Sequence, residues 1–92
     1  MSEHHPHPGY TNVAKRLRRA SGHLQTVIAM VEADRECADI AQQLQAVERA
    51  VAAAKHTLVH QHLDHCLDDA LQGQPKAVRL AMADFKAIVK YL

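Results

Sequence analysis

From Cys37 to Leu71 the chain contains no proline and no glycine, and alanine recurs throughout. Such a stretch has nothing to interrupt an α-helix, so it is predicted to form one long helix. Its apolar stripe runs Cys37, Ile40, Leu44, Val47, Val51, Ala54, Leu58, His62 and Cys66, at three-and-four spacing. Gly73 ends the helix, and Pro75 sits where a third would begin, with Val78, Ala81, Phe85, Ile88 or Val89, and Leu92 as its stripe. Upstream, Thr11 or Asn12 can cap a first helix with Val13, Leu17, Ala20, Leu24, Val27 or Ile28, and Val31 on one face. Gly22 interrupts that helix and points to a close packing contact, and 33–36 (ADRE) reads as a short turn. No strand signal appears. The expected architecture is all-α, with three helices and a long middle one.

The stretch HQHLDHC, residues 60–66, concentrates metal-binding side chains on the middle helix. His62 and Cys66 fall one turn apart on one face, where both can grip one ion. Cys37 shares the stripe but lies 25 residues earlier, roughly 37 Å away along a continuous helix. They cannot meet within one chain, but they can if two copies of the helix pack antiparallel, so that Cys37 of one chain faces His62 and Cys66 of the other. A two-fold dimer then carries two equivalent sites that bridge its subunits. His56, His60 and His65 lie off the centre of the stripe and are read as solvated or supporting groups.

Ninety-two residues make one small domain, for which self-association is a reasonable expectation. No apolar run approaches a membrane span, and the first ten residues lack the apolar centre of a signal peptide, so the chain is expected to be cytoplasmic. Two cysteines in that compartment suit metal or redox chemistry better than a structural disulfide. Residues 1–10, MSEHHPHPGY, are expected to form a flexible His-rich arm before a domain spanning 11–92. Net charge is only +1, yet it is segregated. Residues 10–31 hold Lys15, Arg16, Arg18 and Arg19 and no acid, whereas 64–69 hold three aspartates and no Lys or Arg.

Three segments give the chain a resemblance to a known family: RLRRASGHL (16–24), DRECADIAQQLQAVERAV (34–51) and HLDHC (62–66). Together with the spacing Cys37-x24-His62-x3-Cys66, they resemble the CsoR/RcnR repressors, which sense copper, nickel, cobalt, formaldehyde or persulfide. The resemblance covers nearly everything after residue 10. It implies antiparallel dimers that pair into flat homotetramers and bind operator DNA.

The sensed signal depends on the residues around the triad. The family's copper sensors use Cys, His and Cys, present here as Cys37, His62 and Cys66, a set suited to three-coordinate Cu(I). They usually carry Tyr before the first Cys and Glu twenty positions after the His, where this chain has Glu36 and Met82. Nickel and cobalt sensors add a His 32 positions before the first Cys, which is His5 here, with His4 and His7 nearby. Two imidazoles and two thiolates suit Ni(II) or Co(II), and Zn(II) fits the same donors. Formaldehyde sensors need the first Cys and a reactive N-terminal amine, and persulfide sensors keep both cysteines but lack the His.

Nothing resembles a helix-turn-helix, a zinc finger or a basic zipper. Lys15, Arg16, Arg18 and Arg19, repeated across a tetramer, would instead give a field that neutralises phosphates. Arg49 and Lys55 are further candidates, and the resemblance favours Arg16 and Arg49. Operator shape would supply part of the specificity. The resulting expectation is a repressor that holds operator DNA without metal and releases it on binding nickel or cobalt, derepressing an efflux gene. The alternatives are a Cu(I)-sensing or formaldehyde-sensing repressor of the same family, or a metal-storage or metallochaperone protein. Enzymatic activity is not expected, since Glu36 is the only carboxylate adjacent to Cys37.

Overall fold

A computed structural model of the chain describes residues 8–92. Three α-helices follow in order: α1 (Pro8–Glu32), α2 (Cys37–Gln72) and α3 (Pro75–Ile88), with a final 3-10 turn at Val89–Tyr91. No strand occurs among the described residues. The all-α expectation holds, and α2 is uninterrupted over its whole length. α1 begins at Pro8, ahead of the expected caps Thr11 and Asn12. Proline fits a first helical turn because its missing N–H would have no partner there anyway. The flexible arm expected for residues 1–10 therefore gives way to helix from Pro8, while its residues 1–7, His5 among them, lie outside the described residues.

The turn between α1 and α2 is specified by backbone hydrogen bonds. Arg35 N–H donates to Met30 C=O at 3.0 Å and Asp34 N–H to Val31 C=O at 3.2 Å. This paired pattern closes a helix through one left-handed residue. That residue is Asp34, with φ of 55°; aspartate tolerates the conformation better than most side chains. Glu36 C=O then accepts from Ile40 N–H and starts α2.

Gly73 ends α2 for a different reason from the one its position suggests. No glycine among the described residues has positive φ. A Cβ on Gly73 would instead lie 2.6 Å from Asp69 O and 3.1 Å from the Ala77 Cβ, so the chain passes too close for a side chain. Gly22 reverses its expectation. A Cβ there would meet nothing within 4 Å, so no packing contact accounts for it.

The chain divides into two compact units, Met1–Lys55 and His56–Leu92. In the first, α1 and the start of α2 form a hairpin that buries Val13, Ala20, Val27, Val47 and Ala54. His23 Nε2 and Gln43 Oε1 join its two helices at 2.7 Å. The other half of the expected stripes, Leu17, Leu24, Ile28 and Val31 on α1 with Leu44 and Val51 on α2, remains exposed. Heptad spacing explains the division, because residues seven apart share a face while those offset by four lie on its flank. In the second unit Val59, Cys66 and Ala81 are buried.

Candidate metal centre and basic face

His62 and Cys66 sit on consecutive turns of α2, as their spacing requires. The structure adds a third group, Asp84 of α3. One donor atom from each of His62, Cys66 and Asp84 lies within 4.8 Å of the others. His62 Nε2 is 3.3 Å from Asp84 Oδ2. Cys66 is buried, His62 half-buried and Asp84 exposed. The small residues Ala77 and Ala81 face the same space, and a cavity of about 260 Å³ opens beside Cys66, Asp69 and Asp84.

The local electrostatics favour a cation. Burial pushes the Cys66 thiol above its ordinary pKa, and the negative charges of Asp84 and then Asp69 push it further. All three influences oppose a bare thiolate. A bound cation would offset the two carboxylates and take the thiolate as a ligand. Two arrangements suit the three donors. Asp84 can join His62 and Cys66 as an oxygen ligand. Otherwise His62 Nε2–H donates to Asp84, which fixes the tautomer and leaves Nδ1 as the metal donor.

Asp84 was missed by sequence reasoning, which looked for a carboxylate at position 82 and found Met82. The available signal was modest: Asp84 is the single acid in a helix that also carries Lys76, Arg79 and Lys86. Cys37, the first residue of α2, is exposed with a free thiol and is not one of the clustered donors. His5 lies outside the described residues. His65 pairs with Asp69 at 3.5 Å on an exposed surface.

Lys15, Arg16, Arg18, Arg19 and Arg49 are all exposed. Arg16 and Arg19 border a cavity of about 180 Å³ in the first unit, together with Ala20, His23, Ala50 and Ala53. Among the described residues no carboxylate lines it, and the charge on its rim is positive. No helix among the described residues is long and apolar enough to cross a membrane.

Among the described residues the chain is thus all helical, with a His–Cys–Asp cluster in one unit and exposed cations on α1 in the other. Residues 10–91 match the sequence model described as "Metal-sensitive transcriptional repressor", and the chain belongs to that family. It is 39% identical over 74 residues to the copper-sensing transcriptional repressor RicR of Mycobacterium tuberculosis, covering 75% of this chain and 77% of that protein. It is 40% identical over 63 residues to the copper-sensing repressor CsoR of Mycobacterium ulcerans (67% of this chain, 54% of that protein). It is 37% identical over 61 residues to CsoR of Bacillus subtilis (66% and 60%). The chain thus spans little more than half the length of these CsoR proteins. No solved structure matches it. The family is one of regulators, not enzymes. These relatives carry copper in their names, so they give no support to the expected closeness to nickel and cobalt sensors.

Proposed function

We propose that the chain is a Cu(I)-responsive repressor that binds operator DNA without metal and releases it with metal. The observation that carries this reading is the placement of His62 and Cys66 side by side, with Asp84 against the imidazole. Cu(I) favours thiolate and imidazole over carboxylate. In this reading Cys66 and His62 bind the ion, and Asp84 is a positioning residue that holds His62 in the right tautomer. Cys37 of a second copy supplies the third ligand. The exposed apolar residues Leu17, Leu24, Ile28, Val31, Leu44 and Val51 supply a face for that copy to cover. Pairing of such dimers gives the tetramer, and Lys15, Arg16, Arg18, Arg19 and Arg49 contact phosphates. Binding of metal and of operator is reciprocal, so DNA lowers metal affinity by the factor that metal lowers DNA affinity.

A second reading, response to Ni(II) or Co(II), draws on the oxygen of Asp84 and on His5, both of which suit harder ions than Cu(I). One titration separates the two. Cu(I), Ni(II) and Co(II) are added in turn to the chain on its operator, and release is followed by fluorescence anisotropy. Release by Cu(I) at an affinity that outcompetes a Cu(I) chelator is expected. Release by Ni(II) or Co(II) alone selects the second reading, and failure of all three to release DNA overturns both.

A further inference from the structure

We infer that His56 and His60 form a second metal site, a two-imidazole clamp for a divalent cation, separate from the His62–Cys66 donors. The residues are one turn apart on α2, and both are exposed. Their ring centroids lie 4.1 Å apart with the planes tilted by 35°. The pairing brings two imidazole rings together without dehydrating a buried surface.

The spacing can be compared with what chelation needs. A metal–nitrogen bond of about 2.0–2.1 Å puts each ring centre roughly 3.2 Å from the ion. Two imidazoles at adjacent corners of a square-planar or octahedral ion then have centres about 4.5 Å apart; a tetrahedral angle needs about 5.2 Å. The observed 4.1 Å is nearer the right-angled case, and small side-chain rotations close the difference. The clamp therefore favours Ni(II) or Cu(II) over tetrahedral Zn(II), with water filling the other positions.

The two sites also face apart. At about 100° per residue, His62 is turned roughly 160° from His60, and Cys66 roughly 120°. One ion cannot bridge them within this helix. Their donors differ as well: a soft sulfur site on one side, and two imidazoles on the other. Because the clamp requires an intact turn from 56 to 60, a cation bound there stabilises that turn against unwinding.

The test uses the full chain and Ni(II) alone as the probe. Calorimetric titrations compare the wild type with H56Q, H60Q, the double variant and H62Q, each first shown by circular dichroism to keep its helix content. Expected is that H56Q and H60Q each weaken the same single equivalent of Ni(II) at least tenfold, that the double variant loses no further equivalent, and that H62Q keeps it. In parallel, substoichiometric Cu(II) should broaden the ring proton signals of His56 and His60 together. An unchanged titration in H56Q, or two separate losses adding in the double variant, would overturn the clamp. Operator release by Cu(I) in H60Q reports on the proposed function independently, so failure of one leaves the other standing.

Discussion

Replacing Asp84 with Asn tests how the His62 imidazole is held, and the structure sets the size of the effect. Two consequences oppose each other. Removing the charge eases ionisation of Cys66, because Asp84 is one of the groups raising its pKa. Burial is the larger cause and persists, so the thiol remains above its ordinary value. The same change weakens the acceptor for His62 Nε2–H. Groups that orient a metal-binding histidine typically change affinity by 10–100-fold. The low end applies here, because the Asp84 side chain is 61% exposed and its 3.3 Å contact is longer than a strong charge-assisted hydrogen bond. Asn also keeps an acceptor oxygen. The expected net loss of Cu(I) affinity is about tenfold, or ~1.4 kcal/mol. Competition with a Cu(I) chelator measures it, and nitrogen chemical shifts of His62 report the tautomer. Unchanged affinity with an unchanged tautomer would show that Asp84 does not position the imidazole. A loss well beyond a hundredfold would identify Asp84 as a ligand itself.

Cys37→Ala should abolish metal-dependent release and leave metal-free operator binding intact in a gel-shift assay; loss of both would refute the separation of sensing from DNA contact. Filling the cavity beside Arg16 and Arg19 by Ala50→Leu leaves every charge in place, so a several-fold drop in operator affinity with an unchanged salt slope is expected; Arg16→Ala should reduce that slope by about one. Gly22→Ala should stabilise α1 by about 0.5–1 kcal/mol in urea unfolding, since nothing occupies the added Cβ; destabilisation would place a second copy against that position. The raised Cys66 pKa gives a signed pH effect. Below the ordinary thiol pKa both folded and unfolded chains keep the proton, and nothing is lost. As pH rises beyond it the unfolded chain ionises first, so stability should fall, and Cys66→Ala should remove that fall.

Helix positions were legible because their signals are local. The absence of Pro and Gly from 37 to 71 predicts α2 nearly to the residue, and Pro75 opens α3 as expected. Start and stop residues were less legible. Pro8 starts α1 despite its setting among prolines and histidines, and Gly73 acts through close approach instead of through a left-handed turn. Gly22 misled for the same reason: a glycine's identity does not say whether another atom needs the space. The stripes named most of the buried residues, though the middle one gave Leu58 where Val59 is buried, and they did not say which half would be covered, because periodicity alone does not distinguish a face turned to the same chain from one left open.

The site divides along the same line. His62 and Cys66 were legible because one helical turn joins them, and local geometry is the part of structure that spacing encodes. Asp84 was not, since its approach depends on how Gly73 and Pro75 direct α3 back along α2, bringing a carboxylate to the imidazole at 3.3 Å. That dependence has a functional consequence. Were a metal ion held by His62 and Cys66, it would reach α3 through Asp84, and α3 packs through Ala81 in the same unit as Cys66. Metal occupancy would then bear on the position of a whole helix through a single His62–Asp84 contact. If that link carries the signal, Asp84→Asn will weaken DNA release more than metal binding when both are measured at saturating Cu(I). Equal release by the wild type and the variant at saturation would instead confine Asp84 to affinity, and leave Cys37 of the second copy as the only route from the metal to the DNA-binding face.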